Sequence, residues 1–473
     1  MPSAGARATR TARSNVIQFR PAAGRIASIR PRDGVLLCRR SDARTGERLS
    51  MRKVIVCLLL CPLINGGAIV RPVGAGESLA GASAVAARVK QLGGRIAIDE
   101  RGEIVGVDLS AASVTDDDIG PIAALPKLKE LLVKGAGITD ASAATIAKAT
   151  SLESLSLDTV GMTDAGIKKL ASLPNLHTLS LNRLTRMTDS SAGCFKGLPK
   201  LRHLALTDSY ISDGGLSAIA QLQNLESLDL RGSDLIGDGG LELLPAMKKL
   251  TVLRVRSRGV SDAGLEAVGA MKQLRVLAIE DSLAISDDGL EFLGKLVDLE
   301  ELSLAQAFQI TDDGLKRLKG LTKLRRLNLR RLAISGAALA DLAEMKNLEH
   351  LDLGGTPLAD AALVHLKRLP ALNSLNVMAT PLSDAGMKHL GELTGLRTLI
   401  MRDVKITDEG FRQLAGLTRL GRLELQGVPL TDASIHVLKA MTQLRELALS
   451  QTAISAAGRA ELKRALPQTK IAE

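Results

Sequence analysis

Residues 250–273 read LTVLRVRSRGVSDAGLEAVGAMKQ. Leu253 and Val255 alternate with Val252, Arg254 and Arg256, a period of two that predicts a short strand with one apolar face. Ser261-Asp262 then has the chemistry of a helix start: the hydroxyl caps a free backbone N–H, and the carboxylate meets the positive end of the helix dipole. Leu265 and Val268 follow at helical spacing and turn one helical face inward. Strand, turn and helix are complete within 24 residues.

The same stretch recurs along the chain without a gap. The pattern L-x-x-L-x-L, its last position filled by Leu, Val, Ile or Met, begins at Leu128, Leu152, Leu176, Leu201, Leu225, Leu250, Leu274, Leu299, Leu324, Leu348, Leu372, Leu396, Leu420 and Leu444, and a degenerate copy begins at Ile104. These are units 1 to 15, spaced 24 or 25 residues apart. Ser or Thr stands at the helix start in thirteen of the fifteen, and Asp follows in thirteen of the fifteen. A Gly two residues after the Asp, as in Gly166, Gly264, Gly314 and Gly410, opposes helix propensity. Where it is absent the position usually holds Ser or Ala, so a bulky side chain there is expected to collide with the neighbouring unit.

A unit of this kind cannot bury its apolar residues alone, so the units must stack. Strands stack at about 4.8 Å, whereas helices are roughly 10 Å across, and the array has to bend. The expected fold is α/β: a right-handed β-α solenoid in the form of a horseshoe, with a parallel sheet on the concave side and helices on the convex side. Aromatics make up only 1% of the chain and Trp is absent, so the interior must be aliphatic. The expected organisation is an N-terminal extension at 1–50, disordered or untranslated; a signal peptide or signal anchor at 51–75; an N-terminal cap at 76–103; repeats at 104–454; and a C-terminal cap at 455–473.

The unit pattern resembles the leucine-rich repeat family across residues 104–466. Its S/T-D-x-G helix start looks most like the subclass of ribonuclease inhibitor and of the F-box substrate receptors, here in 24-residue repeats of bacterial type. The resemblance implies a non-enzymatic scaffold that binds a protein partner on the concave sheet. Two alternatives stay open: a structural element of the cell envelope, and an F-box-like substrate receptor of a ubiquitin-ligase type complex. The family's usual Asn or Cys after the strand is replaced in several units by Ser209, Ser233, Ser282, Thr356, Thr380 and Thr452.

The formal net charge of +11 sits in the first 76 residues, which hold 14 Lys and Arg against Asp33, Asp42 and Glu47; the rest carries 48 basic and 48 acidic residues. With a neutral body and no aromatic stacking platform, nucleic acid is not an expected partner. Met51-Arg52-Lys53 followed by the apolar run Val54–Ile64 reads as an export signal, and a stretch through residue 70 would serve as a membrane tether if it were not cleaved. The expected location is secreted, periplasmic or envelope-associated, and the expected state is a monomer. Cys194 alone lies in the body and reads as a small packing residue. No phosphate loop, paired metal histidines or serine elbow is present, so no catalytic residue, cofactor or metal is expected. His365 and His389 occupy equivalent helix positions and read as a solvated pair; Asp287-Asp288 and Asp312-Asp313 read as helix starts.

The outward strand positions are the expected binding surface. Arg231, Arg256 and Glu280 should form one column, with Asp229 and Arg254 beside it, and Arg326, Arg330 and Arg402 further along. The competing reading is that Arg231, Arg256 and Glu280 form cross-strand ion pairs that keep the sheet soluble. Four units carry one extra residue between strand and helix, at 182–187, 231–236, 280–285 and 305–310. Such insertions are cheap, and neutrality is the simpler account of them.

Overall fold

The computed structural model describes residues 18–19, 27–28 and 80–472. The chain divides into two units, Met1–Ala80 and Gly81–Glu473. In the first, Gln18–Phe19 pairs antiparallel with Ala27–Ser28. The remainder of the extension at 1–50, the signal segment at 51–75 with its apolar run at 54–70, and residues 76–79 of the cap lie outside the described residues.

The second unit is built on one sheet of seventeen strands. Arg95–Ile98 runs antiparallel to Ile104–Leu109; from there every strand pairs parallel with the next, ending at Lys470–Ala472. The two edge strands do not pair with each other, so the sheet is open. Register follows the apolar pattern: Leu253 lies opposite Leu228 on one side and Leu277 on the other. The leucines therefore form continuous rows, and from Val85 to Leu466 the buried apolar side chains make one cluster. Only Phe195 and Phe411 are aromatic among the largest fully buried side chains, so the interior is aliphatic.

The helix-start residues bind between units as well as within them. Thr139, Thr163, Thr188, Ser212 and Ser261 each accept a hydrogen bond from the backbone N–H two residues on, which is the capping role that the sequence implies. The aspartate, however, reaches into the next unit. Asp238 accepts from the Ser261 N–H at 2.8 Å, the Ser261 hydroxyl at 2.5 Å and the Gly264 N–H at 3.0 Å. Asp140 holds Thr163 in the same way, Asp262 holds Ser286, Asp384 holds Thr407 and Asp432 holds Ser455.

The exceptions show which role governs. A dipole role would call for Asp in the helix Ala456–Ala465 too, yet Ala456 stands there, and among the described residues the strand Lys470–Ala472 that follows brings no further helix start. The other gap is internal: Gly336 replaces Asp in unit 10, and Ala359 replaces the hydroxyl residue that such an Asp would hold in unit 11. At that junction a backbone bond from Ala359 N–H to Ser335 O, 2.9 Å, stands alone. The helices on either side, Ala337–Glu344 and Asp360–Arg368, are 3-10 rather than α.

This contact also explains the glycine. A Cβ at Gly166, Gly215, Gly289, Gly386 or Gly410 would fall inside van der Waals contact of the preceding unit's clamping carboxylate. Ser142 and Ser434 stand at the same position and donate their hydroxyls to Asp116 and Asp408 instead.

Thirteen of units 2 to 15 place one residue in the left-handed region just after the strand. Only Gly135, Gly232, Gly355 and Gly427 are glycines; the rest include Thr159, Asp208, Asp281, Gln306, Ala379 and Asp403. The turn carries the ladder one step beyond the strand, as in Asp208 N–H to Arg231 O at 2.8 Å. Left-handed backbone costs a side-chain-bearing residue about 1–2 kcal/mol. Replacing Ala379 by Gly is therefore expected to raise stability, by about 0.5–1 kcal/mol after the added freedom of the unfolded chain is subtracted; urea unfolding checks it.

The hydroxyls that follow these strands, buried or half-buried, are engaged. Ser209 and Ser233 share a bond of 3.1 Å, Ser282 donates to Ser257 O at 2.9 Å, and Thr356, Thr380 and Thr452 each donate to the carbonyl three residues back. Short hydroxyls thus satisfy carbonyls where the family commonly has Asn or Cys.

At the first unit the clamp is supplied from within. Asp118 accepts from the Thr115 N–H at 3.1 Å, and its other oxygen is held by Arg88 Nε and Nη2 at 2.9 and 2.8 Å. Arg88 belongs to the helix Ala80–Gln91, whose Val85 and Val89 are buried in the shared core.

Candidate functional site

Among the described residues no group of His, Cys, Asp or Glu is arranged to hold a metal ion. The Asp287 and Asp312 carboxylates are occupied by Thr311 and Ser335 of the following units, while Asp288 and Asp313 pair with Arg317 and Lys316. Burial pushes the half-buried Cys194 thiol up to about 11, far from a reactive thiolate. It lies in a 3-10 turn, Gly193–Gly197.

The strand face is where polar side chains gather. Arg231, Arg256 and Glu280 are in register across three strands, as are Asp229, Arg254 and Ala278. The cross-strand ion pairs expected of the first column do not form. Arg231 pairs with Asp229 of its own strand, at 2.9 Å from Nε to Oδ1 and 2.6 Å from Nη2 to Oδ2, because residues i and i+2 share a face. Arg256 reaches across two units to Asp208, 3.0 Å away in the left-handed turn. Glu280 instead accepts from the Ser303 hydroxyl.

Further along, Arg326 pairs with Glu301 at 3.2 Å, and Arg402 with the buried Glu424 at 2.8 Å. Two of the eight expected residues stand apart. No side-chain hydrogen bond or ion pair holds Arg254 or Arg330 among the described residues. Arg254 is half-buried, and burial pulls its guanidinium below the ordinary value. Its neighbour Ala278 leaves its far side open, and Arg330 lies between Ala305 and Gly354 in the sequence-equivalent column. These are cations partly stripped of water and without a hydrogen-bonded carboxylate, Arg254 feeling Asp229, Glu301 and Glu280 only through space, so each can still take an incoming acid in paired hydrogen bonds.

Beside this strip lies an apolar rim that the sequence reasoning missed. Tyr210, Leu235, Leu283 and Phe308 are 55, 56, 44 and 49% exposed, and all fall between strand and helix in units 5 to 9. Leu235, Leu283 and Phe308 lie in units with the extra residue. Backbone bridges tie these turns together, with Thr188 opposite Tyr210, Ser261 opposite Ala284 and Ser286 opposite Gln309, so the lengthened turns form an ordered edge. The available signal was positional: Phe308 and Tyr210 interrupt turns that are otherwise polar or small.

A family profile described as a leucine-rich repeat region matches residues 185–416. No curated protein matches the chain. Among solved structures, an internalin of Listeria monocytogenes is 23% identical, with 82% of this chain and 93% of that chain covered, at a TM-score of 0.46. A leucine-rich repeat protein of Leptospira interrogans is 19% identical, covering 70% and 92%, at 0.41. TLR13, solved as a complex with ssRNA13, is 20% identical, covering 70% and 57%, at 0.47. The central region is thus a leucine-rich repeat region, and the fifteen units and the open parallel sheet carry the same repeat pattern on either side of it.

Proposed function

We propose that the protein is a non-enzymatic scaffold, monomeric and exported from the cytoplasm, that binds a protein partner on the concave strand face of units 5 to 10. Leucine-rich repeat folds are typical protein-interaction scaffolds, and the family supports the class of function. The observation that carries the location is the pairing of two kinds of group: Arg254 and Arg330 without a hydrogen-bonded carboxylate, and the exposed Tyr210, Leu235, Leu283 and Phe308 beside them. Aromatic and arginine anchors at the centre of a patch are the usual carriers of interface energy. Asp229, Arg231, Arg256, Glu280 and Arg326 surround them as a polar border that sets orientation, and Arg402 lies beyond it.

In this reading residues 51–75 direct export, 76–103 and 455–473 close the ends of the array, and 104–454 present the surface. The test is capture of partners by the full chain, followed by affinity measurement with each. Arg254→Glu combined with Phe308→Ala is expected to weaken the main partner by at least about tenfold, the equivalent of 1.4 kcal/mol. Retention of every partner at unchanged affinity would rule out this face. Sequencing the N-terminus of the mature protein tests export and cleavage together.

A further inference from the structure

The residue just ahead of each strand forms a row in which cations meet carboxylates of the next unit. Lys129 pairs with Glu153 at 2.9 Å, Arg202 with Glu226 at 3.0 Å and Arg325 with Glu349 at 2.7 Å; Arg275 turns to Asp298 at 3.5 Å. The pattern stops near the C-terminal end. Gly421 stands between Arg397 and Arg445 in this row, as the pairing of Thr398 with Arg422 and of Arg422 with Glu446 requires. A position that could carry an acid carries no side chain. Among the described residues, no side-chain hydrogen bond or ion pair holds Arg397, Arg445 or the nearby Arg419.

These three arginines line a hollow of about 420 Å³, together with Arg422, Thr398 and Gln443. Its one carboxylate, Glu446, is 3.4 Å from Arg422, which also pairs with Glu424. A second hollow of about 400 Å³ adjoins it and shares Arg397, Arg419 and Gln443. Three like charges are thus gathered without a counterion of the protein's own, beside a threonine hydroxyl and a glutamine amide that can donate to the same guest. Planar guanidiniums match the oxygens of a tetrahedral oxyanion in paired hydrogen bonds. The space is that of a small-molecule site, about 300–1,000 Å³, and exceeds a bare ion.

We infer that this hollow binds a small molecule carrying a phosphoryl or sulfuryl group, held by Arg397, Arg419 and Arg445. The site lies apart from the strip of units 5 to 10 and does not depend on it. The test is calorimetry on the full chain at low ionic strength, with glucose 6-phosphate, glucose 6-sulfate, inorganic phosphate, inorganic sulfate and glucose as probes. The esters are expected to bind, and glucose is not. Gly421→Glu, which restores the missing acid, and the double variant Arg397→Gln/Arg445→Gln should each weaken binding at least about tenfold. Arg202→Gln, at a paired position of the same row, should leave it unchanged. A Cβ at Gly421 meets nothing closer than Arg397 O at 3.7 Å, so the glutamate is sterically tolerated, and circular dichroism of each variant confirms folding. Free phosphate or sulfate binding as tightly as the esters would assign the site to the anion alone and uphold its chemistry. Absence of binding, equal binding of glucose, or equal loss in Arg202→Gln would overturn it.

Discussion

Gly264→Val is expected to destabilise the protein by about 3–5 kcal/mol, the sum of an overpacked contact and broken charge-assisted hydrogen bonds. A Cβ on residue 264 would lie 2.5 Å from Asp238 Oδ1 and 3.0 Å from Leu241 Cδ1. The valine can be accommodated only if the carboxylate leaves, and it then releases the Ser261 and Gly264 N–H groups and the Ser261 hydroxyl. Asp238→Ala removes the same bonds without the crowding and should cost less, about 2–3 kcal/mol. The discriminating variant is Gly264→Ala. If the glycine were merely a poor helix former, alanine would stabilise by about 1 kcal/mol; with a Cβ 2.5 Å from Asp238 Oδ1 the carboxylate must shift, as it has beside Ala338, whose N–H still reaches Asp312 at 3.0 Å, so alanine is expected to fall well short of that gain. Urea unfolding followed by circular dichroism decides, and a full gain of about 1 kcal/mol in Gly264→Ala would mean that crowding of the carboxylate contributes nothing.

Acid should unfold the array sharply, for the same reason. Partial burial pushes the carboxyls of Asp116, Asp140, Asp164 and Asp408 up, but hydrogen bonds from the next unit's hydroxyls and backbone N–H groups outweigh it, and all four lie below the ordinary value. Asp164, held by Thr188, Ser190 and Ser191, falls to about 2. A carboxyl with a depressed pKa in the folded chain contributes stability that is complete above its unfolded value and is lost as pH falls through its folded value. Thermal midpoints should therefore stay level from neutrality down to the ordinary carboxylate value of 3.8 and drop steeply between there and about 2. The variant Asp164→Asn should show a lower midpoint at neutral pH and a shallower acid limb. A midpoint that falls evenly from neutrality would assign acid sensitivity to general charge repulsion instead.

The strand and helix of each unit were legible because burial imposes a period of two on Leu253-Arg254-Val255 and helical spacing on Leu265 and Val268. The glycine collision was legible for a related reason, since only a steric demand explains a residue that opposes its own helix. The identity of the collision partner was not. Asp238 and Gly264 are 26 residues apart, and the local rule for acids at helix starts already explained the aspartate without reference to a neighbour. Only the placement of the exceptions, Gly336 with Ala359 and the terminal Ala456, separates the two roles.

On the strand face the columns were readable, because fixed spacing puts Arg231, Arg256 and Glu280 abreast. Which charge meets which depends on side-chain reach, and Arg256 spans two units to a turn that spacing does not describe. The apolar rim escaped notice because isolated Leu and Phe residues in turns are indistinguishable from core residues until exposure is known.

The clamp has a direction. Each carboxylate sits on the earlier unit and waits for a hydroxyl that comes 23 or 24 residues later in the chain. During synthesis nearly every coil that emerges therefore finds its docking group already in place on the coil before it, unit 11 after Gly336 being the exception. The acceptors are thus laid down in the order in which a ribosome delivers the coils, and the one internal gap, at Gly336, is bridged by a backbone bond instead.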